Sequence, residues 1–172
     1  MLEQHDLVSV NGLTLDANAA YVSAFPATLR VPFDGTPPVQ VAPQTATAIA
    51  SDASRVYVAS DGGATTIFAA RVSAWAKSGS DFGTSGTPIL DQRGTLRGLA
   101  VAGGSVWVSL DASTARIVKS PVSGGPTSVV ADAGSDGGSG GWELLRGGSR
   151  ALFRAWASPR ATPHPHIEKR CF

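Results

Sequence analysis

Apolar residues in this chain come in short, strand-length runs separated by turn formers, and four of the runs nearly repeat one another. They read NAAYVSAF (18–25), SRVYVAS (54–60), GSVWVSL (104–110) and RALFRAW (150–156). Aligned on their aromatic residue, they place Tyr21, Tyr57, Trp107 and Phe153 in one column. Eight positions earlier stand Leu13, Ile49, Leu99 and Leu145; one position earlier come Ala20, Val56, Val106 and Leu152. One position later come Val22, Val58 and Val108, with Arg154 breaking the pattern. Between the apolar columns lie DAN (16–18), DAS (52–54), AGG (102–104) and GGS (147–149), all of them turn sequences. Each unit therefore predicts strand, tight turn, strand.

The similarity continues downstream of each aromatic residue. A third apolar run follows in TLRVPFDG (28–35), TIFAARVS (66–73), RIVKSPVSG (116–124) and HIEKRCF (166–172). Fourth strands are expected in PVQVAP (38–43), PILDQ (88–92) and TSVVADA (127–133), the second reached only after a polar, glycine-rich excursion, SAWAKSGSDFGTSGT. That excursion reads as a surface loop. Strands are expected near 13–15, 20–23, 29–31, 48–51, 56–59, 66–70, 99–102, 106–109 and 116–119.

Anchor spacings of 36, 50 and 46 residues bracket the length of a four-stranded propeller blade. The expected fold is all-β, an incomplete β-propeller-like array of four-stranded antiparallel blades. Its single domain, 1–172, divides into units at about 10–44, 45–94, 95–134 and 142–172, with a Gly/Ser-rich linker at 134–141. The aromatic column Tyr21, Tyr57, Trp107 and Phe153 is expected to be core, since large rings fill the wedge between neighbouring sheets.

The stretch GLAVAGGSVWVSLDASTARIVKSPVSGG (98–125) resembles the repeat of bacterial β-propellers of the TolB, YWTD and NHL types. In these an aromatic second strand precedes a third strand with a proline and then a Gly-Gly turn. Val31-Pro32 and Ser120-Pro121 match that proline; the second unit lacks it, and no unit contains the YWTD tetrapeptide. The resemblance implies a propeller of six to eight blades and a periplasmic or extracellular setting. The three units and partial fourth found here then suggest a fragment, and "MLEQHDLVSV" at the start carries no export signal.

Composition changes this picture little. Among 172 residues, 20 are glycine and 11 proline, which suits short strands and turns rather than long helices. Net charge is only +1, but the stretch after Gly141 is basic, with Arg146, Arg150, Arg154, Arg160, Lys169 and Arg170. No aromatic-interleaved signature accompanies it, so nucleic acid is not an expected partner. No segment approaches a membrane span. The single cysteine, Cys171, excludes an intramolecular disulfide.

Candidate chemistry is sparse. Gly137 to Gly141 fits G-x-S-x-G, but without the strand-to-helix turn that exposes such a serine it reads as linker. His164, His166 and Cys171 offer at most three ligands where structural zinc needs four, so no metal or cofactor is expected. Asp16 and Asp52 occupy equivalent turns, where a carboxylate accepts backbone amide hydrogen bonds. The remaining candidates are residues expected in loops on one face: Asp61, Arg97, Asp111, Glu143 and Trp156. The leading function is a non-enzymatic scaffold binding a protein or glycan partner there, with self-association through open blade edges. The alternatives are a metal-assisted hydrolase or lyase of the propeller type, or a fragment without independent function.

Overall fold

A computed structural model describes residues 10–61, 69–78, 86–112, 115–132, 141–147 and 150–156, with residue 61 and the strands after 140 described by backbone alone. Every helix or strand among them is a strand. β1 (Val10–Leu15), β2 (Ala19–Ala24), β3 (Ala27–Pro32) and β4 (Val39–Ala42) form one sheet in chain order. A second contains β5 (Ala48–Ser51), β6 (Arg55–Asp61), β7 (Ala69–Ala76) and β8 (Thr87–Arg93). A third contains β9 (Thr95–Ala102), β10 (Ser105–Asp111), β11 (Arg116–Pro121) and β12 (Ser128–Asp132). β13 (Gly141–Gly147) and β14 (Arg150–Trp156) pair as a hairpin. The chain divides into two compact units, residues 1–60 with 72–87, and residues 61–71 with 88–172.

In the first unit the aromatic column is core. Tyr21 and Tyr57 are sealed from solvent, and Tyr21 packs with Ala19, Val41, Ala42, Ala46, Val56, Val58 and Trp75. Valines at 56 and 58 alternate with Tyr57 along β6, so the two faces of the second sheet carry different residues. The valine face meets the tyrosine face of the first sheet. Hydroxyls on these faces bond across the junction, while the buried Trp75 Nε1 has no hydrogen-bond partner among the described residues. Ser23 Oγ donates to the Ala46 carbonyl at 3.1 Å and accepts from the Ala46 amide at 2.7 Å, and Thr14 and Ser51 hydroxyls bond at 3.3 Å.

The repeated aspartates hold the turns. Asp16 Oδ1 accepts from the amides of Asn18 and Ala19 at 2.8 and 2.9 Å; Asp52 Oδ1 accepts from those of Ser54 and Arg55, each at 2.8 Å. Tyr57, five residues after Asp52, donates its hydroxyl to Asp52 Oδ2 at 2.6 Å, and Tyr21 bonds Asp16 in the same relation. The third sheet repeats this relation in different chemistry: Trp107 Nε1 donates to the carbonyl of Ala102, five residues earlier, at 3.1 Å. The turn before Trp107 has no aspartate and instead uses Gly103 and Gly104, at φ +57° and +71°, a region costly for any residue with a Cβ.

Lys77 closes the first unit. Its Nζ donates to Asp16 Oδ2 at 2.7 Å and to the Asp52 carbonyl at 2.6 Å, and it lies 4.8 Å from the centre of the Tyr21 ring. Its amide donates to the Ser54 carbonyl at 3.0 Å. One side chain thus ties the β1–β2 turn to the β5–β6 turn. Burial raises the Asp16 carboxyl, but the hydrogen bonds from Lys77 and the turn amides outweigh it and hold the group well below the usual carboxylate range. Burial likewise opposes the Tyr57 and amide bonds at Asp52, which still lower that group. A depressed native value means that stability is fully present above the unfolded carboxyl value, about 4, and is lost as pH falls through the native one. The urea midpoint should therefore hold from pH 7 to about 5 and drop toward pH 3, and Asp52→Asn should flatten the drop. An equal acid loss in that variant would remove Asp52 from the account.

Three details depart from the sequence expectation. β7 is described over Ala69–Ala76, positions 66–68 of the expected strand lying outside the described residues, and it continues past the expected 66–70, so Ser73 to Ala76 belong to a strand rather than to the loop excursion. Trp75 is buried there out of phase with Ala70, Val72 and Ala74, the alternate residues that turn inward, and a Cβ on Gly86 would fall 2.6 Å from its ring. Trp107 is half-buried, not sealed: it packs beside Ile117 while Lys119 Nζ sits 5.4 Å from its ring centre. Its truncation to alanine should cost about 1–3 kcal/mol, less than a sealed aromatic site. Urea denaturation measures this, and a loss above about 4 kcal/mol would show a deeper core role. Finally, Leu13, Ile49 and Leu99 pair with Val22, Val58 and Val108, but Leu145 pairs with Leu152, a register offset of two from its column. An even offset keeps each residue on its own face of the sheet.

Candidate functional site

All five proposed surface residues fall in the second unit. Asp61, Asp111 and Trp156 are the last residues of β6, β10 and β14, where each second strand ends. Arg97 and Glu143 are each the third residue of the first strand of their sheet or hairpin, β9 and β13. The side chains of Asp61, Glu143 and Trp156 lie outside the described residues. Arg97 corrects the loop expectation: β9 starts at Thr95, before the expected 99–102, so Arg97 stands on a strand.

The structure brings Arg97 and Asp111 together. Arg97 Nη2 donates to Asp111 Oδ2 at 2.9 Å, with both side chains about half exposed at 56% and 48%. Strand pairing explains the meeting, because Asp111 faces Thr95 and Leu110 faces Leu96 across the ladder. An exposed pair of this kind adds little to stability, at most about 1 kcal/mol. Its interest is that it presents charge at a strand end.

Two arginines that sequence reasoning passed over join it. Arg116, the first residue of β11, donates from Nη2 to the Arg93 carbonyl at 2.9 Å, and its Nε is buried with no hydrogen-bond partner. Arg93 is exposed at the end of β8. Gly94 between the strands lies at φ +132°, and a Cβ there would stand 3.1 Å from the Asp111 carbonyl, so glycine lets the chain pass closely beside the β10 end. The only sequence signal for this grouping was that Arg93, Arg97 and Arg116 all flank predicted strand ends. At this end of the third sheet the Arg97–Asp111 pair thus stands near Arg116, which pairs across the ladder with Leu110 and reaches the backbone of Arg93 at the end of β8.

Among the described residues no three His, Cys, Asp or Glu side chains come together as a metal-binding group. No described helix is long and apolar enough to cross a membrane. The glycine-flanked Ser139, and His164, His166 and Cys171, lie outside the described residues.

No protein-family model and no curated protein matches the chain. Among solved structures, the chain is similar to YCF48 bound to D1 peptide, at 12% identity and a TM-score of 0.56. The superposition covers 93% of this chain and 55% of that one, so the chain spans little more than half the length of the structure it matches. Likeness at this identity speaks to fold alone. With three four-stranded antiparallel sheets and a β-propeller protein as structural neighbour, the chain has an all-β, β-propeller-like fold.

Proposed function

We propose that this chain is a non-enzymatic propeller-type scaffold, a single array over residues 1–172, that binds a protein partner at the strand ends carrying Arg93, Arg97, Asp111 and Arg116. Asp61, Glu143 and Trp156, at the corresponding ends of the neighbouring strands, extend this surface. The observation that carries the reading is the exposed Arg97–Asp111 pair at a strand end, with Arg116 beside it bonded to the backbone of the exposed Arg93. Arginine is the residue best suited to planar, two-point recognition of carboxylates, and clusters of it mark binding surfaces for acidic segments. Asp111 is held by Arg97, which favours recognition over acid–base chemistry. Support from outside the chain is the peptide bound to the YCF48 structure.

The partner segment is accordingly an acidic peptide, and its binding weakens with salt. Selection from a displayed random-peptide library against the purified chain tests this. Enriched peptides should be rich in Asp and Glu, and Arg97→Ala with Arg93→Ala should weaken them at least about tenfold, or 1.4 kcal/mol. Enrichment of peptides indifferent to both substitutions would overturn the site; enrichment of none, with retention of an acidic glycan on an array, would overturn the partner class.

A further inference from the structure

The first sheet has two faces, and among the described residues only one is covered. Strand pairing sets Thr14, Tyr21 and Arg30 on one face, the one packed against the second sheet, and Leu13, Leu15, Ala20, Val22, Leu29 and Val31 on the other. On that other face Leu13 is 59% exposed and Leu15 56%. Ala20, Val22, Leu29 and Val31 are half-buried.

The chain itself shows what such a face receives. In the second sheet the positions matching Leu13, Ala20 and Val22 are Ile49, Val56 and Val58. There Val56 and Val58 are fully buried and Ile49 packs with them, under Ala19 and Tyr21 of the first sheet. The covering surface is a sheet face of small and aromatic residues, with Ser23 capping the incoming strand. The first sheet therefore exposes the acceptor half of a junction whose complete form stands one sheet further along. An apolar sheet face left in water in this way is an association surface.

We infer that this face is an interface with a second copy of the same chain, docked head to tail, so that the last strands of one copy cover Leu13, Leu15 and Val22 of the other. One observation favours a second copy over an unrelated partner: the junction to be completed is one this chain already builds between its own sheets. A head-to-tail contact of this kind closes when the second junction forms as the first does. The inference does not depend on the acidic-peptide site, which lies in the other unit.

Sedimentation equilibrium of the purified chain is the test, with far-UV dichroism and thermal melting run on each variant. The wild-type chain should sediment above its own mass. Leu13→Asp with Leu15→Asp places two charges on the face at positions more than half exposed, so the fold should persist while association weakens on the order of a hundredfold. Val129→Asp, also at an exposed apolar position (56%) but on the outer strand β12, should leave association unchanged. Amide exchange in Val10–Leu15 should slow as concentration rises through the association range in the wild type, a readout that needs no variant. A monomer at every concentration, a dimer indifferent to the Leu13 and Leu15 substitutions, or equal loss in Val129→Asp would overturn the inference.

Discussion

Replacing Tyr57 by alanine is expected to lower folding stability by about 3–5 kcal/mol, the cost of emptying a sealed aromatic site in a core that cannot fully collapse around it. Tyr57 is 0% exposed, and its ring stands in the column that Tyr21 occupies one sheet earlier. Part of the loss has a separate origin. Its hydroxyl donates to Asp52 Oδ2 at 2.6 Å, and Asp52 in turn orders the β5–β6 turn. Tyr57→Phe keeps the ring and removes only the hydroxyl, so it should cost about 1–2 kcal/mol. Urea unfolding of both variants separates the two contributions. If Tyr57→Phe were as damaging as Tyr57→Ala, the ring would contribute little and the packing account of the column would fail.

Lys77→Met carries the second large effect, expected at about 2–3 kcal/mol. The substitution retains most of the aliphatic stem and removes the ammonium that joins Asp16 Oδ2, the Asp52 carbonyl and the Tyr21 ring. The Lys77 side chain is only 8% exposed and that of Asp16 26%, so water replaces the lost partner poorly. A cycle with Asp16→Asn apportions the loss: the pair should show a coupling above about 1 kcal/mol. Additive behaviour would mean that Lys77 acts only through its stem and backbone.

Where a local rule governs the structure, the sequence announced it. The aromatic columns and the DAN, DAS and AGG turns located β1, β2, β5, β6, β9 and β10, because strand alternation and tight-turn chemistry depend on near neighbours. The turn aspartates were legible for the same reason. Lys77 was not, since its partner Asp16 lies 61 residues away and its surroundings, AWAKSGS, read as a loop. Trp75 was hidden by that composition as well, though its strand runs through it. At the charged edge, Asp111 and Arg97 could be singled out individually, but their contact arises from a ladder that begins four residues earlier than expected. The buried Nε of Arg116 has no sequence signature at all.

The central claim is that the first two four-stranded sheets of this chain stack face to face, the tyrosine face of one on the valine face of the other. Thr14 and Ser51 test it most directly, since one belongs to β1, the other to β5, and their hydroxyl oxygens stand 3.3 Å apart. In a Cys171→Ser background, Thr14→Cys with Ser51→Cys should form a disulfide on mild oxidation, seen as an intact mass lower by two hydrogens and as thiols closed to alkylation until reduced. Two thiols that remain open to alkylation in folded, oxidised protein would contradict the stacking of the first two sheets.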